Sequence, residues 1–452
     1  MKILVCGVGK VGAALAKQLS REGHDLTLID VHAEVLESGV ETYDVISLRG
    51  NAASALVLRE ANVETTDLLI ASTGEDEVNM LCCMTAHHLN PRLHTIARIR
   101  NPEYREQAYA MRSLFGLSMI INPEMQAAAE IERLLKYPGF LKRETFAKGR
   151  LEIAELAVEA NSKLCGVSLM GLGNVIKCRV LVCAVLRGET AIIPAGDFVV
   201  QAGDRLFVTA TTNNLSALLR NLGYISHRAR RVMLAGGSRI SFYLAQQLQK
   251  SGVAVKLFER NRERCEELAE LLPQVSVLCG DVSNHALLES EGLADCEAFV
   301  SLTGLDELNM MLSLLAHTDG VPQVVTKLGR MENTALRNSL PVGSVVCPKE
   351  LCTNTVVQYV RAMQNQTGAA LSVHLIADGQ VEAAEFTADE KTRFCGVPLR
   401  ELKLRRGVLV VGISHAGAIV IPDGNSSFSK GDTVVVVSGE DRIIHQLNDI
   451  FE

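Results

Sequence analysis

The sequence predicts an α/β protein built twice over: two doubly wound parallel-sheet domains, each followed by a small α+β module. Three observations predict it. Short apolar strands alternate with helical segments through residues 1–135, the texture of repeated βαβ units. Residues 150–222 change to short strands punctuated by glycine. The whole pattern then returns: Gly7 and Gly236 stand 229 residues apart, as do Asp30 and Glu259, and Thr73 and Thr303 stand 230 apart. Chance does not hold one offset along an entire chain, so the sequence is a tandem duplication.

Taken in order, KILVCG, DLTLID, VISLRG, DLLIAST, HTIARI and LSMIIN supply the strands of a first Rossmann-like domain. A helix is expected from Ala13 to Leu19, after the first strand and its glycine turn. An amphipathic helix is expected over roughly 124–136, after Asn122-Pro123 and before Pro138-Gly139. The small module closes with the strand Gly203-Asp204-Arg205-Leu206-Phe207-Val208. The second copy repeats the order, with a helix near 349–363. Leu164-Cys165-Gly166-Val167 returns as Phe394-Cys395-Gly396-Val397. The expected domains are 1–138 and 228–366, both Rossmann-like, and 139–225 and 367–452, both small α+β modules.

Composition narrows the function. Hydrophobic residues at 48% and charged residues at 21% describe a soluble globular chain. Aromatics at 4%, with no Trp, disfavour a platform for stacking single-stranded bases. A net charge of −7 disfavours a binder of phosphate backbones, so no nucleic-acid partner is expected. No apolar run reaches the ~18 residues of a membrane span. The first apolar run breaks at a glycine turn before the ~7 residues of a signal core. A cytoplasmic protein is expected. Cysteines such as Cys6, Cys183, Cys279 and Cys347 sit singly in apolar segments, with Cys82-Cys83 adjacent and no C-x-x-C pair. They read as buried reduced thiols, and no metal site is expected.

Gly7-Val8-Gly9-Lys10-Val11-Gly12 follows a strand and precedes a helix, and an acid, Asp30, ends the next strand. That context is what gives the motif weight. Gly7 suits the tight turn, Gly9 admits a pyrophosphate to the backbone, and Gly12 lets helix pack on strand. The helix N-terminus offers amide donors and a favourable dipole. Asp30 is placed for ribose hydroxyls, and with Val31 and His32 after it no Arg awaits a 2′-phosphate, which favours NAD over NADP. Thr73 and Gly74 end the fourth strand on the edge where ligands sit. Arg98 ends the fifth, where a cation is suited to phosphate, with a surface ion pair as the other reading. Arg100 is a weaker candidate, and His32 reads more readily as a helix-start residue than as an adenine stack.

The second copy departs from this pattern. Gly236-Gly237-Ser238-Arg239-Ile240-Ser241 puts Ser238 and Ser241 where Gly9 and Gly12 stand. Serines there are expected to crowd both the pyrophosphate approach and the helix–strand contact. Glu259, Thr303, Gly304 and Lys327 keep the positions of Asp30, Thr73, Gly74 and Arg98, and Arg260 is placed to meet a phosphate or an adenine face. A dehydrogenase needs an acid or base beside the nicotinamide on a substrate domain. Here each sheet is followed only by a small module. His87-His88 read as surface residues, and Asp76-Glu77 and Asp306-Glu307 as helix N-terminal acids favoured by the dipole. No G-x-S-x-G or Walker A occurs. The chain reads as no enzyme, its nucleotide an effector. An NAD-dependent oxidoreductase, or a nucleotide sensor for another transporter, are the alternatives.

The glycine turn with its distal acid, the Thr-Gly-x-Asp-Glu-x-Asn-Met stretch and the paired small modules resemble regulator-of-K⁺-conductance (RCK, or KTN) domains. In tandem they resemble the TrkA-type family of potassium-uptake regulatory subunits. The resemblance covers essentially the whole chain. It implies a peripheral gating-ring subunit beneath a TrkH/TrkG-type membrane potassium transporter, with NAD(H), and in some members ATP or ADP, in the crevice. It implies Gly7, Val8, Gly9, Lys10, Val11, Asp30, Thr73, Gly74 and Arg98 as the first site. Gly236, Gly237, Ser238, Arg239, Ile240, Glu259, Thr303, Gly304 and Lys327 follow as the second. It also implies a homo-oligomer, a tetramer of the tandem chain, and makes the helices near 124–136 and 349–363 crossover or dimer helices, against ordinary core packing.

Overall fold

The computed structural model describes residues 1–42, 45–136, 139–147, 149–223, 229–329, 340–363, 370–415, 418–439, 444 and 446–452. The domain boundaries expected at 138, 225–228 and 366–367 fall outside the described residues, except at the flanks. Two compact units divide the chain: Met1–Ala127 with Pro348–Tyr359, and Ala128–Cys347 with Val360–Glu452.

In the first unit, strands β1 (Lys2–Cys6), β2 (Asp25–Asp30), β3 (Ile46–Arg49), β4 (Leu68–Ala71), β5 (His94–Arg98) and β6 (Met119–Ile121) form one parallel sheet. Its order is β3-β2-β1-β4-β5-β6, so the winding reverses between β1 and β4 and opens a crevice at their carboxyl ends. Central β4, LLIA, is buried at every position, as a strand covered by helices on both faces must be. Helix α1 (Lys10–Arg21) starts earlier than its apolar pattern suggests, directly at the glycine turn, and buries Val11, Leu15, Ala16 and Leu19. The others are α2 (Ala33–Thr42), α3 (Ala55–Glu60), α4 (Asp76–Leu89), α5 (Pro102–Ala110) and α6 (Pro123–Lys136).

The second unit holds three sheets. Strands β7 (Lys142–Phe146), β8 (Leu151–Ala157), β9 (Leu181–Arg187), β10 (Thr190–Ile192) and β11 (Arg205–Thr211) make an antiparallel sheet of order β10-β9-β11-β8-β7, with α7 (Leu172–Val175) and α8 (Thr212–Leu222). The second parallel sheet has β12 (Arg231–Ala235), β13 (Ala254–Glu259), β14 (Ser276–Cys279), β15 (Ala298–Ser301), β16 (Gln323–Lys327) and β17 (Ser344–Val346). Its order, β14-β13-β12-β15-β16-β17, repeats the first. Around it lie α9 (Arg239–Lys250), α10 (Arg262–Leu271), α11 (His285–Ser290) and α12 (Asp306–Thr318). Helix α13 (Pro348–Met363) leads to β18 (Ser372–Ile376), β19 (Val381–Thr387), β20 (Val408–His415), β21 (Ala418–Val420) and β22 (Thr433–Gly439). These last strands pair antiparallel as β18-β19-β22-β20-β21.

The two small modules share one core. Phe146, Ile153, Cys183 and Phe207 pack with Ile376, Val411, Val435 and Val437 from the other module. Charged groups seal its margin: His374 meets Glu144 at 2.7 Å, and Arg205 pairs with Glu155 and, at 2.9 Å, with Asp378. Burial alone would raise the Glu144 carboxyl, but Lys142, His374 and Arg133 around it outweigh that and hold it well below the carboxylate range.

The two helices that follow the parallel sheets are exchanged. The first turns of α13, from the second copy, belong with the first sheet: Gln126 Nε2 donates to Thr355 Oγ1 at 3.2 Å, and His94 Nδ1 lies 3.1 Å from the Tyr359 hydroxyl. The later turns of α6, from the first copy, belong with the second sheet. There Gln323 Nε2 donates to the Leu134 carbonyl at 2.7 Å and Ser251 Oγ to Glu132 at 3.3 Å. One expectation is corrected. Cys279 is exposed, because β14 is the edge of its sheet and Cys279 is the strand's last residue.

Candidate functional site

The first crevice is built around Gly7. Its amide donates to the Ile29 carbonyl at 2.8 Å, and its φ of 85° is a left-handed conformation. A Cβ there would also lie 2.6 Å from Thr73 Cα, so conformation and space both require glycine. At Gly12 a Cβ would stand 2.0 Å from the Gly7 carbonyl oxygen, which is how closely α1 approaches the turn. Gly9 is different: a Cβ there meets nothing within 4 Å. Gly9 is also the N-cap of α1, with no side chain capping the helix. Helix amides therefore face open space where an anion would be stabilised by donors and dipole together.

Asp30 closes the turn from below. Val8 N donates to one carboxylate oxygen at 2.7 Å and His32 N to the other at 3.0 Å. Each oxygen keeps a second lone pair, so the carboxylate both shapes the loop and can accept from a ribose hydroxyl. The opposite wall is the end of β4. Asn79, wholly buried, accepts from Thr73 N at 2.8 Å and Thr73 Oγ1 at 2.7 Å, and donates to the Arg98 carbonyl at 2.9 Å. It ties the ends of β4 and β5 together. Asp76 accepts from the backbone amides of Arg100 and Asn101, each at 2.8 Å, fixing the turn after β5.

The structure thus brings Gly7, Val8, Gly9, Lys10, Val11, Gly12, Asp30, Thr73 and Gly74 to one carboxyl edge. The two arginines are held by protein partners there. Arg98 pairs with Glu124 at 3.3 Å, the ion-pair reading. Arg100 bonds Asp76 and the Gly74 carbonyl. Ser72, Asp76 and Asn79 were not singled out as organisers of the site from sequence. The repeated Thr-Gly-x-Asp-x-x-Asn spacing was the available signal, since it puts two short polar side chains on the first turns of a helix facing its own strand.

The second crevice keeps the frame. Gly236 N donates to Phe258 O at 2.8 Å, and Glu259 accepts from Gly237 N at 2.7 Å and Asn261 N at 2.8 Å. Asn309 repeats the staple, accepting from Thr303 at 2.8 and 2.7 Å and donating to the Lys327 carbonyl at 3.0 Å. Lys327 Nζ lies 3.0 Å from the Thr303 carbonyl, and Arg239 is exposed at the start of α9. The expected crowding by Ser241 is corrected. Its hydroxyl is buried and donates to the Gly236 carbonyl, and a Cβ on Gly236 would be 3.1 Å from its nearest neighbours, against 2.6 Å at Gly7. The turn has eased outward, and the serine fits. Ser238 differs from Gly9 in another way: its side chain caps α9, accepting from Ser241 N at 3.3 Å.

Known proteins share this organisation. The TrkA-N domain model matches residues 3–123 and 232–348, and the TrkA-C domain model matches residues 153–223 and 383–451. The chain is 33% identical over 446 residues to Trk system potassium uptake protein TrkA homolog 1 of Methanosarcina mazei, covering 97% of both. It is 30% identical over 458 residues to Trk system potassium uptake protein TrkA of Halomonas elongata, covering 100% of this chain and 99% of that one. Among solved structures, the GsuK RCK domain aligns with TM-score 0.62 at 18% identity, over 97% of this chain and 92% of that one. The GsuK channel bound to NAD aligns with the same TM-score and identity, over 97% and 77%. At such identity these structures speak for the fold. The family models and full-length relatives speak for more: the chain belongs to the TrkA family of Trk-system potassium uptake proteins.

Proposed function

We propose that the chain is the cytoplasmic, nucleotide-binding regulatory subunit of a Trk-type potassium uptake system. It acts on a membrane pore subunit of the TrkH or TrkG type and assembles as a homo-oligomer, in the reading we favour a tetramer. The first crevice, with Gly7 to Gly12, Asp30, Thr73 and Gly74, holds NAD(H). The second, with Gly236 to Ile240, Glu259, Thr303, Gly304 and Lys327, holds NAD(H), ATP or ADP. The observation that carries the reading is the uncapped start of α1 at Gly9, open to solvent and flanked by the Asp30 carboxylate. A phosphate fits the bare amides and a ribose fits the acid. GsuK structures named as bound to NAD and to ADP support both nucleotide classes. Arg98 would join the phosphates by exchanging its partner Glu124 for them.

Regulation then needs only differential affinity: a nucleotide that binds one arrangement of the subunit more tightly shifts the population toward it. The chain's own groups hold the ligand and perform no bond chemistry on it. Two measurements test this. Binding of NAD, NADH, ATP and ADP to the wild type is compared with Asp30→Ala and Glu259→Ala. Asp30→Ala weakens NAD(H); an unchanged affinity removes the first crevice from the reading. The chain also co-sediments with membranes that contain the pore subunit and is released from membranes lacking it. A chain that stays soluble in both cases removes the transporter partner.

A further inference from the structure

The carboxyl edge of the second sheet carries a feature without counterpart in the first. Cys265, in the second turn of α10, is buried, and its thiol donates to the Glu259 carbonyl at 3.2 Å. Gly280 N donates to the same carbonyl at 2.9 Å, and Cys279 is the direct cross-strand neighbour of Glu259. Both cysteines thus border one carbonyl, Cys265 through its sulfur and Cys279 through the strand position it shares with Glu259 and the amide that follows it. Cys279 is exposed, so one thiol faces solvent and the other lies behind it. The matching residues of the first copy are Leu36, buried, and Arg49, whose Nε donates to the Val31 carbonyl at 3.2 Å. Cys6 and Cys82 share the first core, but both are wholly buried, out of reach of a solvent oxidant.

We propose that Cys265 and Cys279 form an oxidisable dithiol, a modification site for peroxide that closes into a disulfide beside the second nucleotide crevice. The Cys279 thiol gives up its proton and the thiolate attacks a peroxide oxygen; the O–O bond breaks, a sulfenic acid forms, and the departing hydroxide takes that proton as water. The Cys265 sulfur then attacks that sulfenic sulfur, an S–S bond forms, and the departing hydroxide takes the Cys265 proton as water. Two thiols and one hydrogen peroxide give one disulfide and two waters, the two electrons passing from sulfur to peroxide oxygen. Cys279 is the exposed sulfur of the pair and therefore the one that peroxide in solvent reaches first, while burial first, then neighbouring Cys279 and the Glu259 and Glu266 carboxylates, push the Cys265 thiol up to about 11.

The bond would tie α10 to the end of β14 across the turn that carries Glu259, Arg260 and Asn261. It would also remove the sulfur donor from the Glu259 carbonyl. Since the Glu259 carboxylate holds Gly237 N, a strained turn passes directly to the glycine loop. Oxidation therefore weakens nucleotide binding in the second crevice and, by reciprocity, bound nucleotide slows oxidation. This link rests on reading that crevice as a nucleotide site; the disulfide itself does not.

The test uses the full chain, treated with hydrogen peroxide, alkylated and digested for mass spectrometry. A peptide pair linked through Cys265 and Cys279 is expected, absent in Cys279→Ser and restored to free thiols by dithiothreitol. Alkylation of both thiols after peroxide, or over-oxidation of Cys279 with no linked pair, overturns the proposal. ADP binding is then measured on reduced and oxidised protein, each with Asp30→Ala to silence the first crevice. An affinity about tenfold weaker in the oxidised form is expected, and equal affinities overturn the link. If reduced Glu259→Ala binds ADP as well as its parent, the nucleotide reading of the crevice fails instead, while the peptide map still decides the disulfide.

Discussion

The two glycine turns satisfy the same carbonyl from opposite sides. In the first, Ser72 at the end of β4 donates to Gly7 O at 2.8 Å, and Gly12 leaves the helix side bare. In the second, Ser241 donates to Gly236 O from the helix side, and apolar Leu302 occupies the place of Ser72. Donor and bulk have been exchanged across the turn as a pair. A glycine fingerprint is therefore a statement about one packing solution, and its loss at one position is uninformative until the facing residue is read with it. Ser238 is the substitution that separates the two crevices, because its side chain caps an amide that Gly9 has no side chain to cap.

The largest effect that would break this comparison is steric. Gly12→Ser alone is expected to destabilise the first unit by about 2–4 kcal/mol, since its Cβ meets backbone that only a shifted turn could clear. Combined with Ser72→Leu, which recreates the second copy's pair, the loss should be smaller than the sum by about 1 kcal/mol or more. Denaturation midpoints of the single and double variants measure the difference. Strict additivity would mean that the exchange across the turn is coincidence.

Next in size is the acid. Asp30→Ala removes a charged acceptor from both ribose and Val8 N, and about 1.5–3 kcal/mol of NAD(H) binding should go with it, roughly 10- to 100-fold. Titration of Glu259→Ala in parallel sharpens the comparison. If the second crevice is the weaker holder, its loss is the smaller. Least in size is Ser238→Gly. It frees the Ser241 amide at a folding cost of only a few tenths of a kcal/mol, and should strengthen ADP binding in the second crevice a few-fold. A weaker affinity after that change would show that the Ser238 hydroxyl binds the phosphate instead of competing with it.

Much of this was legible in the residues. The duplication fixed the repeated order of sheet and module, and Gly7 and Gly12 were assigned roles that their φ and clearances fit. The misreadings share a cause: sequence shows a residue but not what faces it. Ser241 looked obstructive because its partner, Leu302 in place of Ser72, lies some 60 residues away in sequence. Cys279 looked buried because strand period does not reveal which strand ends a sheet. Arg98 offered two readings, and the partner it has here, Glu124 on α6, lies 26 residues away in sequence. The exchange of α6 and α13 was carried by resemblance alone; their apolar spacing is the same whichever sheet they cover.

That exchange has a consequence for descent. When two identical chains pair, every mutation falls on both partners, and a change tolerable in one turn must be tolerable in its twin. Here the covering helix of each sheet comes from the other half of one polypeptide, so the halves are always present together in equal number. A serine can then enter one glycine turn while the other stays intact, and a cysteine pair can arise beside one crevice only. Fusion makes asymmetry heritable.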